Sequence, residues 1–200
     1  MDEYRNIIRQ KLDVLNGDKK LAFSLLICER LLPNYVFFSK KYNYGNPIEL
    51  NNIILVLYKD LLEKNKGYNI DEYIDVVENI TPDTEDYSTI LVSFALDACT
   101  SILSTLYFLK DSDVENIIDV ATYARDTVDM FIQERDDLNV NNSELELLIE
   151  QDSFMQIEKK RQVAVIDYLD NIDSVTQNDL EILRQIVKED IIDLSLLQEE

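Results

Sequence analysis

Hydrophobic positions recur three and four residues apart along nearly the whole chain, and this spacing predicts α-helices throughout. The first runs from Glu3 to about Leu15 and stops at Asn16-Gly17, a pair suited to a helix C-terminus. Asp18 can cap the second, which is apolar nearly all round: Leu21, Ala22, Leu25 and Leu32 form one stripe, and Phe23, Leu26, Ile27 and Leu31 cover most of the rest. That helix is expected to be central, to break at Pro33-Asn34, and to continue briefly through Tyr42. Gly45-Asn46-Pro47 is a turn that opens a helix to Lys64, with Asn46 as cap and Pro47 in the first helical position. Asp71 caps another, to about Asn79.

Thr81-Pro82-Asp83 is expected to start a long helix reaching Leu109, with Asp83, Glu85 and Asp86 at its positive end. Ser112 or Asp113 opens the next, to about Leu138, before a polar break at Asn139–Asn142. Ser143 followed by Glu146 has the form of a capping box. The pattern falters at Asp152-Ser153, resumes from Phe154 to Asp170, and ends with a helix capped by Thr176 and Asp179 that extends to about Leu197. The stripe Leu180, Leu183, Val187, Ile191 and Leu194 must pack on the body of the protein or on a second copy, so a homodimer stays open. The expected fold class is all-α, a single-domain bundle of about seven to eight helices with one long central helix.

Composition agrees with this reading. The 200 residues include only three Gly and three Pro, which argues against turn-rich β architectures. Hydrophobic residues at 46% suffice for a core. There is no His, which removes the commonest general base, the usual zinc ligand sets and the Ser-His triad. The scattered Gly17, Gly45 and Gly67 cannot build a phosphate-binding loop.

Formal net charge is −21, with 16 acids against 11 bases in residues 1–100 and 24 against 8 in residues 101–200. Such a surface repels phosphate backbones and anionic lipid, so nucleic-acid and membrane partners are disfavoured. A protein partner or small ligand is the expectation. The start of the chain has no basic region followed by an apolar one, and Cys28 and Cys99 stand apart in apolar stretches. Together these point to two free thiols in a reducing, cytoplasmic setting. The stretch Tyr87–Leu109 has a single charge, Asp97, but seven Ser and Thr residues make it too polar for a spanning helix.

Charges on apolar faces are the candidate chemistry. Glu29 falls within the stripe of the second helix, with Arg30 beside it. Glu158 and Arg161 lie on the apolar face shared by Phe154, Ile157, Val165, Tyr168 and Leu169. Buried charges require partners. One arrangement is a structural network in which Glu29 and Arg30, and Glu158 and Arg161, neutralise one another. The other is a carboxylate site for a hard cation such as Mg²⁺, which needs no His. No other cofactor is implied.

Asp97 lies on a hydroxyl-rich face with Ser93, Thr100, Ser101 and Ser104. That face could line a pocket, admit a neighbouring helix, or stay partly exposed. Asp126 and Asp129 have the spacing of Mg²⁺-holding acid pairs in all-α nucleotide pyrophosphohydrolases, but they oppose the apolar stripe of their helix and are expected to face solvent.

The run Cys28-Glu29-Arg30-Leu31-Leu32-Pro33-Asn34-Tyr35, followed by Phe38, resembles the bacterial YjaG-like family of uncharacterised proteins. The likeness continues through Tyr44-Gly45-Asn46, then Thr81-Pro82-Asp83-Thr84-Glu85-Asp86-Tyr87, then Ala95-Leu96-Asp97-Ala98-Cys99, with an echo at Glu158 and Gln162. The resemblance implies an all-helical domain without assigned catalytic residues. It marks Glu29, Arg30, Asn34, Tyr35 and Asp97 as positions to test. The functional expectation is a binding or regulatory module; the alternative is a Mg²⁺-dependent nucleotide phosphohydrolase with Glu29, Asp97 and Glu158 as ligands.

Overall fold

The computed structural model describes residues 3–64, 67–139, 141 and 143–197. Among these are nine α-helices and no strand: α1 (Glu3–Asp13), α2 (Gly17–Tyr42), α3 (Pro47–Glu63), α4 (Ile70–Ile80), α5 (Ile90–Asp111), α6 (Val114–Arg135), α7 (Leu145–Gln151), α8 (Ser153–Asp170) and α9 (Gln177–Ile186). Short 3₁₀ turns at Thr84–Asp86 and Leu194–Leu196 complete the chain.

The central element is α2, packed against α3, α5, α6, α8 and α9. It runs unbroken for 26 residues through Pro33, against the break expected there. Proline inside a helix costs about 3 kcal/mol or more, because it removes one backbone hydrogen bond and crowds the preceding turn. Leu31, Tyr35 and Phe38 are fully buried on either side of it, and burial of one such side chain contributes roughly 1.5–3 kcal/mol. Pro33 itself is exposed, so its ring displaces no core side chain. By length and composition α2 and α5 could each cross a membrane, but in this fold 72% and 67% of their most apolar windows are buried against other helices.

Other boundaries shift for local reasons. Asn69, not Asp71, caps α4 by accepting from the Asp71 amide. The long helix expected from Thr81 begins only at Ile90, capped by Thr89; the preceding acids form a 3₁₀ turn in which Asp83 accepts from the Glu85 amide. No side chain caps α7, so the Ser143–Glu146 box does not form there. Of the Asn139–Asn142 break, positions 140 and 142 lie outside the described residues. Asp152 divides α7 from α8 by accepting from the Phe154 amide. The Thr176–Asp179 capping box does form, but α9 stops at Ile186 rather than Leu197. Val187, Ile191 and Ile192 are nevertheless buried against the body, on irregular backbone.

Candidate functional site

The acids singled out by the sequence do not converge; each is held by a different pair of elements. Arg30 on α2 and Glu158 on α8 form a buried ion pair, 8% and 1% exposed, with Nη2 2.7 Å from Oε2. Gln162, one turn after Glu158, donates to Glu158 Oε1 (3.0 Å) and lies as close (3.0 Å) to the Ala121 carbonyl of α6. Tyr4 of α1 reaches the same layer, its hydroxyl 3.1 Å from Gln162 Oε1 and 3.0 Å from the Lys159 carbonyl. One polar layer therefore pins α1, α2, α6 and α8 together. It is incompletely satisfied: the Arg30–Glu158 contact is out of line for a hydrogen bond, and Arg30 Nε has no acceptor among the described residues.

Glu29 belongs elsewhere. Successive helical residues point about 100° apart, so Glu29 and Arg30 cannot share one environment. Glu29 accepts from Tyr58 of α3 (2.8 Å) and from Arg184 Nε of α9 (3.0 Å), and the Arg184 guanidinium lies 4.8 Å from the Tyr58 ring centre. Burial foremost, then the charge of Glu29, pushes the Tyr58 hydroxyl well above its usual range. Arg161 pairs not with Glu158 but with Glu189, after α9. The expected pairings within Glu29/Arg30 and Glu158/Arg161 are thus replaced by pairings between helices.

Asn34 is buried, and its amide nitrogen has no acceptor among the described residues. Tyr35 closes a clasp: its hydroxyl donates to the Ile80 carbonyl (2.8 Å) and accepts from the Asn46 amide (3.3 Å), tying α2 to the end of α4 and the turn before α3. That turn needs Gly45. Its φ is +66°, and a Cβ there would lie 1.8 Å from the Tyr35 hydroxyl. Phe38, Tyr42 and Tyr44 meet the Tyr87 ring edge-on beside the clasp, with the Tyr44 hydroxyl donating to the Thr81 carbonyl (2.9 Å).

Asp97 is buried between α5 and α6, where it accepts from Thr127 (2.7 Å). Burial pushes its carboxyl up to about 7, with Asp126 adding in the same direction and the Thr127 hydroxyl opposing. The hydroxyl-rich face of α5 therefore admits a neighbouring helix rather than remaining open. Asp126 is exposed and Asp129 partly so, the latter accepting from Gln133 (2.5 Å). Burial raises both free thiols, Cys28 and Cys99, to about 12, which leaves them protonated and unreactive. Among the described residues no three Asp, Glu or Cys side chains are placed to hold a metal ion together.

Sequence reasoning missed Tyr58, Arg184, Thr127 and Tyr4. None breaks its helix's pattern, and only the crossing of helices brings them to Glu29, Asp97 and Gln162. An open cleft of about 530 Å³ lies between the first half of α8 and residues 188–193, with Phe154, Ile157, Arg161, Lys188, Glu189 and Ile192 in its walls.

These features define a class: an all-helical bundle around an apolar central helix, cross-linked by polar contacts at several separate levels. The chain belongs to the DUF416 family, described as a protein of unknown function, whose model matches residues 7–193. It is 28% identical over 127 residues to the uncharacterized protein YjaG of Salmonella typhimurium, a match covering 63% of this chain and 65% of that one. YjaG of Escherichia coli is 25% identical over the same length and the same shares. An uncharacterized protein of Haemophilus influenzae is 25% identical over 131 residues, 64% of this chain and 67% of that one. The crystal structure of a DUF416 family protein from Shewanella baltica superposes with a TM-score of 0.81 at 24% identity, covering 94% of both chains, and so shares the fold.

Proposed function

We propose that this protein is a binding or interaction module without catalytic activity of its own. One observation carries the reading: each of the three acids put forward as ligands of a carboxylate site is committed to a structural partner. Glu158 faces Arg30, Glu29 faces Arg184 and Tyr58, and Asp97 faces Thr127. An arginine beside a carboxylate competes with a cation for the same oxygens, and three acids on separate crossings cannot share one ion.

The test is thermal unfolding in EDTA and then in Mg²⁺, Mn²⁺ or Ca²⁺ at matched ionic strength, for wild type and Glu29→Gln, alongside a phosphate-release assay on nucleotides. A chain at −21 gains some stability from any divalent ion, so only a gain that the substitution abolishes signals a site. The expected result is equal metal shifts in both proteins and no phosphate release. A metal gain lost in the variant, together with hydrolysis, overturns the reading.

A further inference from the structure

The cleft beside α8 has the size of a small-molecule site and is lined by apolar Phe154, Ile157 and Ile192 together with charged side chains, among them Arg161 and Glu189. Arg161 stands at its boundary and also lines a second, buried chamber of about 10 Å³, roughly the space of one water. Arg30 lines that chamber too, buried and with its Nε unaccepted, and such an orphaned donor costs about 1–3 kcal/mol. Two guanidinium groups thus flank a chamber that is short of an acceptor, and one of them opens onto the cleft.

The partner that Arg161 does have comes from outside. Glu189, 66% exposed, reaches it from irregular backbone after α9. Arg161 is only 12% exposed and needs an anionic partner, whereas Glu189 regains its hydration if another carboxylate takes its place. Two further acids and a lysine line the cleft: Asp190, Asp193, whose Oδ1 accepts from the Ser195 amide (3.0 Å), and Lys188.

We propose that this cleft binds a small carboxylate with an apolar body, anchored by Arg161, and that Glu189 is an internal competitor which the ligand displaces. The ligand's apolar body covers Phe154, Ile157 and Ile192, while its carboxylate takes the place of the Glu189 side chain and faces the chamber holding Arg30. This rests on the reading of the protein as a binding module and gives that module a ligand class.

The probe is 3-phenylpropionate, titrated calorimetrically, with neutral 3-phenylpropanamide as control. The proteins are wild type, Arg161→Met, which keeps an unbranched apolar stem, and Glu189→Gln, which frees Arg161. The carboxylate is expected to bind wild type, to bind Glu189→Gln about five-fold more tightly, and to lose at least ten-fold in Arg161→Met; the amide should bind weakly to all three. Glu189→Gln changes an exposed side chain and keeps the test valid even if Arg161→Met is unstable. The cleft assignment is overturned if neither wild type nor Glu189→Gln binds the carboxylate at millimolar concentration, if Glu189→Gln binds no tighter, or if the amide binds as well. Any of these leaves the module reading standing, because only metal-dependent hydrolysis removes that.

Discussion

Glu29 and Glu158 are both acids on apolar helix faces, both paired with arginine, and they sit in opposite settings. The Arg30–Glu158 pair is dry, at 8% and 1% exposure, between two helices of the core. The Glu29–Arg184 pair is a third exposed, at 39% and 34%, on the side where α9 meets α2 and α3. In the first setting neither charge can recover hydration if the other is removed, so the pair fixes which helices meet. In the second, water takes over readily, and the pair adds little beyond orienting α9 through the stacked Tyr58 ring. Neighbouring positions in one motif thus carry very different energetic weight.

The largest effect that would sharpen this contrast is at Glu158. Replacing it with Ala should destabilise the protein by about 3–5 kcal/mol in urea unfolding, since Arg30 is left as a buried, uncompensated cation. The double variant Arg30→Met, Glu158→Met should recover most of that loss, because two apolar side chains of similar length leave no charge to satisfy. A double variant as unstable as the single one would mean that the layer's hydrogen bonds, not its charge balance, hold α8 in place.

Asp97 is an intermediate case, a buried acid with a hydroxyl partner and no paired cation among the described residues. Its folded-state carboxyl, at about 7, lies above the ordinary value of 3.8, so between those values the native state keeps a proton that the unfolded chain has lost. Its contribution is fully present below about pH 4 and is lost as pH rises toward and through 7. Wild type should therefore lose on the order of 2–4 kcal/mol across that window relative to Asp97→Asn. Denaturant unfolding at a series of pH values checks this, and parallel pH profiles for the two proteins would contradict it.

The smallest effect is at the exposed pair. Arg184→Ala should cost about 1 kcal/mol or less, and the difference from wild type should shrink in high salt. A loss as large as that of Glu158→Ala would erase the distinction between the two settings.

How far the sequence reached depends on the element. The apolar circumference of α2 marked it as central, and the buried positions of α6, Ile117, Ala121, Ala124, Val128 and Phe131, follow the stripe that periodicity predicts. Asn46, Asp113 and Thr176 cap helices where start signals placed them, whereas Asn16, read as the end of the first helix, caps α2 in place of Asp18. The errors fall where tertiary packing outweighs a local signal. Pro33 does not break α2, because buried neighbours on both sides offset its cost. α9 ends at Ile186 rather than near Leu197, because Ile191 and Ile192 reach the core on irregular backbone and need no helix to do so.

What the sequence determined by itself is local and one-dimensional. Helical spacing, the scarcity of Gly and Pro, and the capping residues specify an all-helical chain, and the lack of His removes whole classes of chemistry. The wheel also showed that Glu29, Arg30 and Glu158 lie on or near apolar faces and must find partners. Which partners they find was decided only by the tertiary structure. Arg30 meets Glu158 across 128 positions, Glu29 meets Arg184 across 155, and Arg161 meets Glu189 in the wall of the cleft. A helix wheel fixes the direction in which a side chain points. What it meets there depends on how the helices cross, and that is set by the packing of the whole core.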